Sequence, residues 1–201
     1  MTYTIITADP ILLSILKLDS KIKSQACEFI DLEAKDGFNY EVTMLERGEK
    51  DYYLFGNANF HNHSRLSLFS SILNVGIRPD HFISDRALVA ENASVGMATV
   101  VYPNAVIDED VKIGFNAMVM PNATINKGAK VANNVYIGSG AVIGAHASIA
   151  ANAYVGDGVR VSENVKIGKN VIIKDATLVT KDVPDGTIID SYIGEYVRIF
   201  N

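Results

Sequence analysis

The stretch Val101-Tyr102-Pro103-Asn104-Ala105-Val106-Ile107-Asp108-Glu109-Asp110-Val111-Lys112-Ile113-Gly114-Phe115-Asn116-Ala117-Met118-Val119 decides the fold. Ile or Val recurs in it every six residues, at 101, 107, 113 and 119. Four residues after the first three of these stand Ala105, Val111 and Ala117, and three residues after them stand Asn104, Asp110 and Asn116. Extended in both directions by the same step, the first column holds Ile or Val at all 17 positions from Ile83 to Val179. The second column, Ala87 to Val183, is small or β-branched throughout. The third is Asn, Gly or Asp in 13 of 17 hexads, from Asn92 to Asp182.

These columns specify geometry. Asn, Asp and Gly tolerate positive φ, and Pro103-Asn104 and Pro121-Asn122 carry the sequence of a type II turn. Each hexad is therefore a short strand with a β-branched residue inward, closed by a sharp corner with one left-handed residue. Three corners close a triangle, so about 18 residues make one coil of a parallel β-helix. Stacked at a strand spacing of about 4.8 Å, the hexads make about six coils, a prism roughly 27 Å long. The six-residue period marks the left-handed form, an exception to the usual right-handed crossover. The core admits Ile, Val and small residues only, which explains why Tyr102, Phe115, Tyr136 and Tyr154 are the only aromatics between 83 and 184 in a chain with 17 Phe and Tyr and no Trp.

The flanks differ in kind. Residues 1–80 read as a small α/β, Rossmann-like domain: a strand Tyr3–Thr7, a helix started by Asp9 and Pro10, and strands near Cys27–Leu32, Tyr40–Leu45 and Asp51–Phe55. A second helix, capped by Asn62 or Ser64 and carrying Leu66, Leu68, Phe69, Ile72 and Leu73, stops at Gly76. The prism occupies 81–184, and the apolar tail 185–201 is expected to cap its open end. A net charge of −5 gives no basic footprint for nucleic acid or anionic lipid. One cysteine, Cys27, excludes an internal disulfide framework, and no apolar run reaches about 18 residues. The expectation is a cytoplasmic protein with no membrane or nucleic-acid partner.

The uninterrupted hexads, the α/β unit before them, and the stretches Val101–Ile107, Asn164-Val165-Lys166-Ile167-Gly168-Lys169-Asn170 and Thr180-Lys181-Asp182-Val183-Pro184-Asp185-Gly186 resemble bacterial sugar acetyltransferases such as sialic acid O-acetyltransferase and the bacillosamine-pathway N-acetyltransferase. The resemblance implies a homotrimer of parallel prisms. It places acetyl-CoA in the groove between prisms, and a free or nucleotide-linked sugar on the N-terminal unit.

Acetyl transfer to a hydroxyl or amine needs a base near the operating pH and donors for a tetrahedral oxyanion. Of the four histidines, His61, His63, His81 and His146, only His146 lies deep in the prism. It stands on a corner, with Gly128 and Asn164 one coil away on either side. His146 is the candidate base and Asn164 the candidate orienting group. In the enzymes of the resemblance the catalytic His stands one residue earlier, followed by an acidic residue; here those positions are Ala145 and His146. The expected cofactor set is Tyr154, Gly156, Gly168, Lys169 and Lys174, with the glycines letting pantetheine lie against backbone and the lysines meeting CoA phosphates. The polar exit Phe55–Ser64 offers Asn57, His61 and nearby Arg65 to a sugar or phosphate. A metal site is not expected, since His61 and His63 have no third ligand marked by spacing.

Two alternatives stay open. Ala145, the glycine-free turn Thr7-Ala8-Asp9-Pro10 and the altered tail Asp190–Glu195 favour a non-catalytic trimeric relative that binds a sugar or protein partner. A γ-type carbonic anhydrase uses the same prism but needs three zinc-binding histidines across a subunit boundary, and only His81 and His146 lie near the prism here.

Overall fold

The computed structural model describes residues 3–7, 27–31, 51–55, 65–190 and 195–198. The expected helix after Asp9, the strand Tyr40–Leu45, the caps Asn62 and Ser64, and Asn57, His61 and His63 lie outside them.

Every member of the 17-residue Ile/Val column is the second residue of a two-residue strand, from Phe82–Ile83 to Leu178–Val179. The strands form three parallel sheets, the faces of a left-handed triangular solenoid of about six coils. The first face holds the strands ending at 83, 101, 119, 137, 155 and 173, the second those ending at 89, 107, 125, 143, 161 and 179, and the third those ending at 95, 113, 131, 149 and 167. The register is 18 residues throughout, as in Val119↔Ile137 and Ile125↔Ile143. Inward Ile and Val from Val101 to Val179 are at most 4% exposed, and the corner Ala and Val between them are nearly as dry. Each such side chain contributes about 1.5–3 kcal/mol of burial, which lets two-residue strands hold without long ladders.

Fourteen successive corners, Ala98 to Ala176 at steps of six, have positive φ. From Asn116 to Ala176 each left-handed residue aims its N–H along the stack, at the carbonyl 19 residues earlier: Asn134 N to Phe115 O at 2.8 Å, His146 N to Lys127 O at 2.9 Å, Asn164 N to Ala145 O at 2.9 Å. This corrects the expected column at its two ends. Asn92 belongs to the first coil, where no earlier carbonyl exists, and it is not left-handed; its side chain instead accepts from Asp110 N at 3.2 Å. Asp182 is not left-handed either, because the last corner is two residues short. Val183 bridges Ile167 at a separation of 16 instead of 18, and the pattern resumes from Val183 with Gly186 as corner (φ 67°) and Ile189 inward.

Thr187–Asp190 consequently continues the first face, pairing parallel with the strand at 172–173, and Glu195–Arg198 folds back on it antiparallel. At the other end Tyr3–Thr7 is the centre of a three-stranded parallel sheet between Cys27–Asp31 and Asp51–Phe55, at three of the expected strand positions. The helix Leu66–Asn74 buries Leu68, Phe69 and Ile72, whereas Leu73 turns outward and is 38% exposed. Phe69 stacks on Phe115 of the prism with ring centres 5.5 Å apart, and Tyr53 meets Phe82 edge-on at 5.4 Å. The N-terminal unit therefore lies against the prism's first coils, where Phe82, Val100 and Met118 point outward from the first face yet are buried.

Candidate functional site

The solenoid places the sequence-derived candidates on its three edges. His146 (φ 58°) and Asn164 (φ 61°) stand in consecutive coils on the edge between the second and third faces, and both are exposed. The imidazole lies over Gly128, where an added Cβ would sit 2.7 Å from Cε1. The expected stacking on Gly128 is thus found. No hydrogen bond joins His146 to the Asn164 side chain among the described residues; the ring leans toward the earlier coil, away from the amide. Beside Gly128 the Lys127 ammonium pairs with Glu109 at 2.6 Å, which holds the ammonium above its usual pKa.

Tyr154 is on the first face, outward and half-buried, with Lys174 on one adjoining edge and Lys169 on the other, both exposed. Tyr154 stacks on Tyr136 of the coil before, centroids 4.8 Å apart and planes within 2°. Burial, aided by Asp157 and Asp175, lifts both phenols above the ordinary tyrosine range, so they stay protonated.

Gly156 and Gly168 do not leave open backbone for pantetheine. A Cβ at Gly156 would sit 2.8 Å from Asp175 N, and one at Gly168 would sit 2.5 Å from both Asp185 N and its Oδ1. The next coil's carboxylate fills that space to accept a backbone N–H: Asp175 from Asp157 N at 2.9 Å, Asp185 from Lys169 N at 2.7 Å. These glycines serve coil stacking.

Arg65 departs further from expectation. It is 1% exposed, and its guanidinium donates to the carbonyls of Leu54 (2.9 Å), Asn116 (2.7 Å) and Ala98 and to the Asn116 side-chain oxygen. It ties an N-terminal strand to two prism coils and presents nothing to a sugar. Burial lowers its pKa to about 10. From Asn116 an amide ladder runs along the edge between the third and first faces: Asn116 donates to Asn134 (2.8 Å), Asn134 to Asn152 (2.9 Å), Asn152 to Asn170 (3.1 Å). The sequence signal for this ladder was Asn at four positions spaced by 18, at 116, 134, 152 and 170.

On the third face an open groove of about 430 Å³ is lined by Lys112, Gly114, Lys130, Ala132, Ser148 and Ala150. Among the described residues no group of three His, Cys, Asp or Glu is placed to hold a metal ion, and no helix is long and apolar enough to cross a membrane.

Residues 110–145 match the family model described as bacterial transferase hexapeptide (six repeats). No curated protein matches the chain. Among solved structures, the acetyltransferase domain of PglB from Neisseria gonorrhoeae FA1090 superimposes with a TM-score of 0.82 at 17% identity, covering 98% of this chain and 99% of that one. The fold is shared end to end. A mutant form of perosamine N-acetyltransferase from Caulobacter crescentus, in complex with CoA and GDP-perosamine, gives 0.78 at 20% identity over 92% of both chains. WeeI from Acinetobacter baumannii AYE gives 0.56 at 14% identity over 98% of this chain and all of that one.

Proposed function

We propose that this protein is an acetyl-CoA-dependent acetyltransferase acting on a hydroxyl or amine of a sugar or nucleotide sugar, as a cytoplasmic homotrimer. The observation that carries the reading is architectural. The parallel sheet and the prism together, not the prism alone, superimpose on an acetyltransferase domain also solved with acetyl coenzyme A, over 98% of the chain. A relative of the same build was solved with both CoA and a nucleotide sugar. In this reading residues 1–80 hold the acceptor, 81–184 carry the transfer site, and 185–201 close the prism.

The edge carrying His146 is opposite the first face, around which Tyr154, Lys169 and Lys174 lie. One chain holds these groups apart, so in this reading the edge of one copy meets the first face of another. The second face presents Leu88 (69% exposed), Val106, Val142 and Leu178 (64% exposed) outward, apolar surface suited to a second copy. His146 takes the acceptor proton as the acceptor oxygen or nitrogen attacks the thioester carbonyl. The tetrahedral oxyanion then collapses, the C–S bond breaks, and the leaving thiolate receives the proton.

A non-catalytic relative is the second reading, favoured by Ala145 and by an imidazole that lacks an orienting partner among the described residues. Calorimetry with acetyl-CoA and an acetyl-transfer assay separate the two. The transferase reading expects binding and a turnover that His146→Ala lowers by about 10²–10⁴-fold, the usual worth of a general base. No binding at millimolar acetyl-CoA overturns it.

A further inference from the structure

We propose that the third-face groove binds a diphosphate ester, with Lys112 and Lys130 as its cationic pair. The two lysines are in register on neighbouring strands, and the same outward row continues through Ser148 to Lys166. Both ammonium groups are exposed and have no acidic partner among the described residues, in contrast to Lys127 on the adjoining edge, which Glu109 neutralises. Like charges at a strand spacing of about 4.8 Å repel and oppose folding.

The chain as a whole carries 23 acidic and 18 basic residues, yet this row, Ser94, Lys112, Lys130, Ser148 and Lys166, has no acid at all. The corresponding row of the second face, Leu88 to Leu178, has one cation, Arg160. Immediately after the strands of Lys130 and Ser148 stand Ala132 and Ala150, neither side chain longer than a methyl group, and both line the groove, so a ligand can lie along the stack against the lysine stems. Two ammonium groups one strand apart take the two phosphates of a diphosphate laid along the solenoid axis. The Ser148 hydroxyl, one coil further, donates to a bridging or terminal oxygen. A monophosphate engages only one lysine.

The proposal deepens the transferase reading, whose donor and nucleotide-linked acceptor both contain a diphosphate, and rests on that reading only for which of the two lies here. Calorimetry with inorganic pyrophosphate at low salt tests it on the full chain, its Lys112→Ala/Lys130→Ala variant and Lys127→Ala as control. The expected result is a binding constant at least tenfold weaker in the double variant, unchanged in the control, and weakened by added salt. The double variant is expected to melt no lower than the parent, since it loses a repulsion. Competition of pyrophosphate by CoA assigns the groove to the donor, and competition by uridine diphosphate alone assigns it to the acceptor; either supports the proposal. Equal binding by all three chains, no binding by the parent, or competition by neither ester, which would leave an adventitious ion only, overturns it. Acetyl transfer with unchanged KM in the double variant also overturns the groove while the transferase stands. Lysine-dependent, ester-competed pyrophosphate binding in a chain without transfer activity leaves the groove standing and the transferase overturned.

Discussion

His146 and Gly128 show how one residue's conformation in a solenoid is decided by a residue 18 positions away. Gly128 has φ 68° and carries the imidazole where its Cβ would be. An alanine there suffers the left-handed penalty of about 1–2 kcal/mol and also displaces the ring. Gly128→Ala should therefore destabilise by about 2–3 kcal/mol, and by only the left-handed part in a His146→Ala background. Denaturant unfolding of the four chains measures the difference; equal costs in both backgrounds would show that the ring does not sit there. The pairing was legible from spacing alone. The roles of Gly156 and Gly168 were not, because a glycine beside a possible ligand and a glycine beneath a neighbouring coil look alike in a single hexad. A longer window distinguishes them: Gly114, Gly138 and Gly156 are each followed 19 residues later by Asn133, Asp157 or Asp175, whose side chain reaches back to the N–H just after the glycine.

Among elements, the junction between the helix Leu66–Asn74 and the prism depends on a group whose type argued against burial. Arginine is rarely fully inside, and Arg65 follows a polar turn, so the sequence placed it on a surface. In the fold it supplies donors to three carbonyls that have left water, and it fixes the direction of the amide ladder by donating to the Asn116 oxygen. Arg65→Met, which keeps the stem and removes the donors, should cost about 3 kcal/mol or more by orphaning those acceptors. Limited proteolysis is expected to cleave N-terminal to residue 80 in this variant while the coils remain protected. Asn152→Ala, further along the ladder at a left-handed corner (φ 61°), should cost about 2 kcal/mol and leave the junction resistant. Equal protection of parent and Arg65→Met would refute the clamp.

At the scale of the whole molecule, the prism was readable because every inward position obeys one arithmetic rule, and the coil count and face order follow from it. The two-residue contraction before Val183 escaped that rule because Asp182 and Val183 satisfy the unshifted columns equally well; only the resumption at Gly186 and Ile189 betrays it. The division of the candidate residues between one edge and the opposite face leads to a prediction about assembly. His146→Ala and a Lys169→Ala/Lys174→Ala chain, each expected to be nearly inactive alone, should regain acetyl transfer when refolded together, because a mixed form of the proposed trimer would contain some junctions with an intact edge and an intact face. An activity assay on the mixture, with each parent as control, reads this directly. Absence of recovery from two well-folded parents would overturn the shared site.

The turn from Thr187–Asp190 to Glu195–Arg198 has a consequence for life in a crowded cell. A stack of parallel coils is periodic along its axis, so its last coil offers the first coil of any other copy the same hydrogen-bonding pattern that its own next coil would have used. Such a molecule is one step from a fibre. On the first face the chain ends that periodicity itself by laying its final strand in the reverse direction, so the terminal edge no longer has the polarity that an incoming parallel coil needs. Near the opposite end the strand Asp51–Phe55 makes a single parallel bridge, Tyr53 to Asp80, just before the first coil. On the first face the reversed strand acts as a stop to coil-on-coil addition, written into the sequence that makes the coils.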